Sequence, residues 1–142
     1  MTVAAILATR SGETITGSPE MIVHEAVALL ARLKIGAIPI VEKDQVAGIM
    51  SERDVIYCLA RDGATILDWP VKKIMTAPAI TVDSDTTALS ALSLMTSRRI
   101  RHLPVVEDKK LIGIVSIGDL VKYRLDKIEQ EAAQMLNYIQ SA

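Results

Sequence analysis

The sequence predicts a mixed α/β (α+β) fold built from two copies of one β-α-β-β-α unit. The motif Gly-x-x-Ser-x-x-Asp occurs at residues 48–54 and again at 113–119, each time after an apolar run centred on a proline. An offset of 65 residues separates the two prolines, Pro39 and Pro104, and also the two motifs. A constant offset indicates an internal duplication. We therefore expect two repeats related by a pseudo-two-fold axis, with a cleft where they meet.

Length and composition limit the class of protein. With 142 residues, the chain suits one compact domain or two half-size units that share a core. Hydrophobic residues make up 50% of it, but aromatic residues are only 3% and phenylalanine is absent, so we expect an aliphatic core. The net charge of −1 argues against a nucleic-acid partner, because such proteins usually carry a basic excess.

The cysteine count and the hydropathy indicate where the protein works. A single cysteine, Cys58, excludes an internal disulfide and fits a reducing compartment. The apolar N-terminus lacks the basic region of a signal peptide, and no apolar run approaches the roughly 20 residues that span a bilayer. These features predict a soluble, cytoplasmic protein without a membrane partner.

The first repeat, residues 1–68, is predicted to begin with a short helix over Val3–Ala8. After a short extended piece, Ser18 as N-cap and Pro19 in the first turn predict a helix that Gly36 ends. Apolar residues at helical spacing predict that this helix has one buried face. Two strands and a second helix are then predicted at 37–41, 46–50 and 51–61.

The second repeat, residues 69–142, follows the same plan. The sequence Asp-Ser-Asp at 83–85 predicts the start of its first helix, and Ser116 opens its last helix. An extended segment and two strands complete the unit, predicted at 79–82, 102–106 and 111–116.

The last helix carries an apolar seam that its counterpart in the first repeat lacks. Its members alternate at spacings of four and three residues: Val121, Leu125, Ile128, Ala132, Met135 and Ile139. This spacing is typical of coiled-coil a and d positions. Two interpretations stay open, since the helix could dock on its own domain or pack against the same helix of a second subunit. The second interpretation predicts a homodimer.

The repeated motif has a structural and a functional interpretation, and the two are compatible. A serine with an acid three residues later forms a capping box, with the glycine allowing the strand to bend. Capping boxes prefer Glu or Gln, however, and both copies use the shorter aspartate. A helix N-terminus at a cleft is also a natural anion site, where Ser51 and Ser116 reach phosphate. Asp54 and Asp119 then accept hydrogen bonds from ribose hydroxyls.

A basic run precedes the second proline strand. Arg98 and Arg99 are explained by favourable placement of cations at a helix C-terminus. Arg101 and His102 fall instead at the start of the strand, next to the predicted cleft. Both residues are candidates for phosphate binding, Arg101 because its planar guanidinium matches phosphate oxygens.

The first repeat lacks this basic pair. Gly36 and Ala37 stand at the matching positions, so the duplication is asymmetric and any two sites should differ in affinity. Arg53, inside the first motif, could supply the missing charge, because its partner in the second motif is Gly118.

These pieces together resemble a tandem pair of cystathionine-β-synthase (CBS) domains, also called a Bateman module, and in particular the small stand-alone CBS-pair proteins. The resemblance covers roughly residues 10–125. Beside both motifs, it rests on Lys73-Ile74-Met75-Thr76, Thr81-Val82-Asp83 and the run at 101–106. It implies a regulatory ligand that contains adenosine, commonly AMP, ADP or ATP and in some cases NAD or S-adenosylmethionine. Ligand occupancy would be reported to a protein partner.

The resemblance also implies roles for individual residues. In the family the motif aspartate holds ribose hydroxyls, the motif serine lies near phosphate, and the extended segment that opens each unit lines the base. One site would then use Ser51, Asp54, Thr81, Arg101 and His102. The other would use Ser116, Asp119, Thr14, Thr16, Gly36 and Ala37, and His102 could serve this second site instead.

Other kinds of chemistry find little support in the sequence. His24 and His102 have no companions at metal-ligand spacing, so we expect no metal site. The glycines do not cluster as in a P-loop and there is no nucleophile elbow, so we expect neither an enzyme nor a catalytic cofactor. The competing hypothesis is a ligand-free interaction module, in which the motifs only cap helices and the C-terminal helix recruits a partner.

Overall fold

The computed structural model describes residues 1–10 and 12–141, and these contain five α-helices and five β-strands. The helices are α1 (Val3–Ala8), α2 (Val23–Leu33), α3 (Glu52–Asp62), α4 (Ala88–Arg98) and α5 (Ile117–Ser141). The strands are β1 (Ala37–Glu42), β2 (Gln45–Ser51), β3 (Val82–Asp83), β4 (His102–Glu107) and β5 (Lys110–Ser116). Two short 3-10 helices, Ala64–Asp68 and Val71–Lys73, lie in the connector between the repeats.

The strands form one mixed sheet with the order β1-β2-β5-β4-β3. β1 pairs antiparallel with β2, as β4 does with β5, and the registers are equivalent: Ala37 lies opposite Ser51, and His102 opposite Ser116. The two hairpins join through a β2–β5 pairing, and β3 pairs parallel with β4. The predicted mixed fold of two repeats is therefore confirmed.

Each repeat has its own aliphatic core, as the composition predicts. The first core consists of buried side chains from α2, α3, β1, β2 and the connector, including Ile66 and Val71. The second core combines α4, α5, β3, β4 and β5 with Val3 and Ile6 of α1. The N-terminal helix thus packs on the second repeat, although it precedes the first in sequence. This packing connects the start of the first repeat to the core of the second.

The helix α2 begins later than the sequence predicts, at Val23 instead of Pro19. The preceding backbone is paired with the connector, where the carbonyl of Met21 accepts a hydrogen bond from Val71 N at 2.7 Å. Backbone groups that bond outside the helix cannot form its first turn. The N-cap, Ile22, accordingly makes no side-chain hydrogen bond.

The corresponding helix of the second repeat also begins later than predicted, at Ala88. Its N-cap is Thr87, whose hydroxyl accepts a hydrogen bond from Ser90 N at 3.1 Å. Asp83, predicted to open the helix, lies in β3, and its carboxylate accepts from Asp85 N at 3.1 Å. The acid therefore stabilises a turn before the helix and not the helix itself.

The two helices end in the same way. α2 stops at Leu33 and not at Gly36, because Lys34 adopts the left-handed conformation with φ of 54°. Arg99 has φ of 55° after α4, at the position 65 residues later. Both cations therefore stand at a helix C-terminus, where they interact favourably with the helix dipole.

The last helix extends away from its repeat. α5 has 25 residues, and the side chains from 128 to 141 are all exposed. Seam residues such as Leu125 and Met135 are 54% and 60% exposed. Docking of this seam on its own domain, one of the two interpretations, is therefore wrong for the described residues. Within residues 1–10 and 12–141, no helix combines the length and apolar character that crossing a bilayer requires.

Candidate functional site

The two Gly-x-x-Ser-x-x-Asp motifs form the same structure at the starts of α3 and α5. Ser51 N and Oγ donate to Asp54 Oδ2 at 2.8 and 3.0 Å, and Asp54 N donates to Ser51 Oγ at 3.2 Å. Ser116 and Asp119 make the same bonds at 2.7, 2.9 and 3.2 Å. Both capping boxes are complete, so the expectation that the shorter aspartate disfavours a capping box is wrong.

The motif glycines are required for close packing, which corrects the expectation that they simply let the strand bend. A Cβ at Gly48 would lie 2.7 Å from the carbonyl oxygen of Thr76, a backbone atom of the connector. That segment is held by two hydrogen bonds to Ile49, at 2.8 and 2.9 Å. A Cβ at Gly113 would lie 2.9 Å from the methyl groups of Leu7 in α1.

The first cleft lies between the start of α3 and the segment that joins α4 to β4, and has a volume of about 410 Å³. The predicted residues that line it are Ser51, Arg53, Asp54, Arg101 and His102, together with Gly36, which the resemblance assigns to the other site. Thr81 is exposed and does not line the cleft, whereas Thr76 and Ile80 do. Thr76 Oγ1 donates to Asp54 Oδ1 at 3.0 Å, so both carboxylate oxygens accept hydrogen bonds.

The second cleft lies at the start of α5 and has a volume of about 570 Å³. The predicted residues that line it are Ser116, Asp119, Thr14, Gly36, Ala37 and His102, whereas Thr16 is exposed outside it. Arg10 enters this cleft from the segment after α1. Its Nη2 forms an ion pair with Asp119 Oδ2, and its Nη1 donates to the carbonyl of Ile114 at 2.6 Å.

His102 lies between the clefts and lines both, so its position does not assign it to one of them. It packs against Gly36, where a Cβ would lie 3.0 Å from the imidazole Cε1. Burial lowers the pKa of His102 from its ordinary value of 6.5, Arg101 lowers it further, and Glu52 opposes the change. The imidazole is therefore neutral at pH 7, with one donor and one acceptor nitrogen.

The clefts differ in charge. Four arginines line the first cleft beside two acids: Arg53, Arg98, Arg99 and Arg101 with Glu52 and Asp54. Arg101 Nη2 lies 3.5 Å from Glu52 Oε1, and Arg53 Nη1 donates to the carbonyl of Arg99 at 2.8 Å. In the second cleft, Arg10 and Lys34 balance Glu13 and Asp119. The first cleft therefore has a positive excess, whereas the formal charges of the second cancel.

Sequence reasoning missed several lining residues. It explained Arg98 and Arg99 by helix capping alone, although both also line the first cleft. The repeat offset could have found Lys34, which precedes Arg99 by 65 residues. No such signal marks Arg10, because Met75 stands at its matching position.

A metal centre finds no support in the structure. Across the described ranges, no three His, Cys, Asp or Glu side chains are grouped so that they could hold a metal ion. The clefts therefore offer hydrogen-bonding groups and charge as their means of binding a ligand.

Comparison with known proteins identifies the family. The model of the CBS domain matches the chain twice, over residues 10–61 and 71–126, which together exceed half of its length. The chain belongs to the CBS domain family. One match falls within each repeat, so the predicted tandem CBS pair is confirmed.

Curated CBS proteins share about a third of their residues with the matched part of the chain. The CBS domain-containing protein CBSX3, mitochondrial, of Arabidopsis thaliana is 38% identical over 123 residues, which is 83% of this chain and 60% of that protein. YhcV of Bacillus subtilis is 33% identical over 115 residues, which is 79% of each. The chain thus spans less than two thirds of the Arabidopsis protein.

Solved CBS structures have the same architecture. The CBS-domain protein ATU1752 from Agrobacterium tumefaciens matches with a TM-score of 0.82 and 34% identity, over 87% of this chain and 99% of that one. The CBS pair of MJ0100, solved with 5′-methylthioadenosine and S-adenosylmethionine, matches with a TM-score of 0.78 and 27% identity, over 89% of this chain and 98% of that one. CBSX2, solved with AMP, matches with a TM-score of 0.76 and 27% identity, over 88% of this chain and 96% of that one.

Proposed function

We propose that this CBS pair is a regulatory module that binds an adenine nucleotide in its first cleft. The observation that carries the proposal is the combination of Asp54, at the start of α3, with four arginines in one cavity of about 410 Å³. A carboxylate accepts hydrogen bonds from both hydroxyls of a ribose, and guanidinium groups match phosphate oxygens. The cavity is also within the usual size range of small-molecule sites.

The charge of the first cleft narrows the ligand class. Similar CBS pairs have been solved with AMP and with S-adenosylmethionine and 5′-methylthioadenosine. The arginine excess favours AMP, ADP, ATP or NAD, all of which carry phosphate, over the positively charged sulfonium of S-adenosylmethionine. We place AMP, ADP and ATP first, with NAD or S-adenosylmethionine as the alternative.

The module is proposed to act by regulation and not by catalysis. A ligand that contacts both repeats would favour one arrangement of the two repeats over another. The size of this shift equals the difference in the ligand's binding free energy between the two arrangements. A protein partner would read this arrangement. The single cysteine, Cys58, is free and buried, which fits a reducing compartment such as the cytoplasm.

Titration calorimetry with AMP, ADP, ATP, NAD and S-adenosylmethionine tests the proposal. We expect binding of a phosphate-bearing ligand, weakened about tenfold to a hundredfold in Asp54→Ala, since hydrogen bonds to a charged group contribute about 1.5–3 kcal/mol. Asp68→Ala, an exposed acid outside both clefts, is the matched control. Absence of heat and of a thermal shift with all five ligands would favour the ligand-free interaction module.

We also propose that the protein is a homodimer in which α5 packs against the same helix of a second subunit. The exposed seam of α5 supports this, because its spacing is that of a coiled coil and it packs on nothing within the described residues from 128 onward. With Val121 and Ile128 at d positions and Leu125 at an a position, Arg124 falls at g and Glu129 at e. A parallel pair places these opposite charges side by side.

A further inference from the structure

The second cleft contains a cation that is held in place by two contacts. Arg10 lies just after α1, outside the repeated motifs, and reaches the start of α5. Its guanidinium pairs with Asp119 Oδ2 through Nη2 and donates to the carbonyl of Ile114 through Nη1 at 2.6 Å. Because one contact is on β5 and the other on the motif carboxylate, the guanidinium is fixed against that carboxylate.

Among residues 1–10 and 12–141, no cation makes the equivalent contact in the first cleft. The position 65 residues after Arg10 is Met75, which has no charge. Asp54 instead accepts a hydrogen bond from the neutral hydroxyl of Thr76 at 3.0 Å. The two carboxylates have identical capping boxes, so the guanidinium of Arg10 is the main difference between them.

This contact uses the group that would bind a ribose. Asp119 Oδ2 already accepts from Ser116 N and Ser116 Oγ, at 2.7 and 2.9 Å, and Arg10 is its third donor. Three donors exceed the two lone pairs of this oxygen, so a ribose diol that donates to both carboxylate oxygens must displace one of them from Oδ2. Arg10 is the one donor that comes from outside the capping box. The ion pair also neutralises Asp119, and the formal charges that line this cleft cancel.

We propose that Arg10 determines the ligand specificity of the second cleft by competing with the ribose diol for Asp119. As a result, this cleft fills after the first cleft, and it selects adenosine compounds without a polyphosphate chain. This proposal rests on the proposed function of the first cleft. It extends that function by assigning the two clefts different ligand classes, a phosphate-bearing nucleotide in the first and a weakly charged nucleoside in the second.

Calorimetry with adenosine and ATP on the full chain tests the proposal. Asp54→Ala isolates the second cleft, and Asp119→Ala isolates the first. In the Asp54→Ala chain we expect ATP to bind no more tightly than adenosine, and Arg10→Met to strengthen adenosine binding about fivefold, which corresponds to the roughly 1 kcal/mol of a partly exposed ion pair. In the Asp119→Ala chain, Arg10→Met leaves ATP binding unchanged.

Salt gives a second, independent readout. Because salt screens the Arg10–Asp119 pair, adenosine should bind the second cleft more tightly as ionic strength rises, an effect that Arg10→Met abolishes. ATP binding to the first cleft should weaken with salt. Arg10→Gln replaces Arg10→Met if thermal denaturation shows that the methionine variant is unfolded.

The outcomes separate this proposal from the proposed function. If ATP binds the first cleft but Arg10→Met leaves adenosine binding and its salt dependence unchanged, or weakens that binding, the assignment of Arg10 is wrong and the nucleotide module stands. Tighter binding of ATP than of adenosine in the second cleft also overturns it. If neither compound binds the wild-type chain, both proposals fail.

Discussion

In the first repeat, the motif glycine Gly48 packs against the backbone of the connector, whereas in the second Gly113 packs against the methyl groups of Leu7. The motif helices differ as well, since α3 ends at Asp62 after 11 residues and α5 continues for 25. The capping boxes, in contrast, agree within 0.1 Å in each hydrogen bond. The repeats have therefore kept the bonds within the motif and diverged where each one meets a segment that is not repeated.

The largest effect is expected at α5, the longer of the two motif helices. We expect Met135→Asp to weaken the proposed dimer about a hundredfold or more, because it buries an unpaired carboxylate in the seam. Met135 is 60% exposed in the single chain, so the fold of the monomer should be unaffected. Sedimentation equilibrium against the monomer mass of 15.4 kDa measures the change.

The control for this variant adds the same charge next to the seam. Gln134 is exposed and lies outside the a and d positions, so Gln134→Asp should leave association unchanged. A wild-type chain that sediments as a monomer at high micromolar concentration, or equal effects of both variants, would contradict the seam as an interface.

The motif glycines should differ in their tolerance of a methyl group. Gly48→Ala forces a Cβ to 2.7 Å from a backbone oxygen that cannot move freely, so we expect a loss of about 2–3 kcal/mol in the free energy of unfolding. Gly113→Ala meets the flexible end of Leu7, which can rotate, and should cost about 1 kcal/mol or less. Urea denaturation of both variants measures the difference, and equal losses would show that the two glycines have equivalent surroundings after all.

The capping serines should behave alike. Ser51→Ala and Ser116→Ala each remove an N-cap bond of 3.2 Å, so each should lower the free energy of unfolding by about 1 kcal/mol. Thermal or urea denaturation is the measurement. A loss at one serine more than twice that at the other would contradict the view that the motif bonds are equivalent.

The strands, the repeat offset and the motif helix starts could be predicted from the sequence because their signals are local. The proline runs are apolar, and serine with aspartate three residues later is a capping pattern. The starts of α2 and α4 could not be predicted from local signals. Backbone pairing with the connector overrides the capping signal at Ser18, and a turn uses the carboxylate of Asp83. The sequence predicted α1 as a short helix of the first repeat, but composition does not reveal which core receives a helix, and α1 packs on the second.

The candidate site was predictable where it repeats or where charged residues adjoin a repeated strand. The motif serines and aspartates and the basic pair Arg101 and His102 line the clefts as the sequence suggested. Thr16 and Thr81 do not, because each lies on the exposed side of the chain next to a strand position. Arg10 was missed because it belongs to no repeated pattern, and its contact with Asp119 spans 109 residues of sequence.

A smaller effect of opposite sign is expected at the second motif. Gly118 takes the place of Arg53 in the first turn of α5, and a Cβ there would have Ser116 Oγ at 3.6 Å as its nearest neighbour, an ordinary contact. Gly118→Ala should therefore stabilise the fold by about 0.5 kcal/mol through helix propensity. Gly63→Ala is the contrasting variant and should destabilise the fold, because Gly63 has φ of 78°, a conformation that disfavours a side chain. Chemical denaturation in which Gly118→Ala is destabilising would show that this turn is strained.

The smallest change is expected from pH, at the residue that both clefts share. Because burial and Arg101 lower the pKa of His102 in the folded chain, the unfolded chain takes up this proton more readily. Stability from the neutral imidazole is therefore complete above the unfolded value of about 6.5 and decreases as the pH falls from there towards the lower folded pKa. His102→Gln should flatten this part of the stability profile.

A phosphate bound in either cleft would favour the imidazolium of His102 and raise its pKa. Nucleotide binding near pH 6 should therefore take up protons, measured by calorimetry in buffers of different ionisation enthalpy. Proton uptake that persists in His102→Gln would assign the titration to another group.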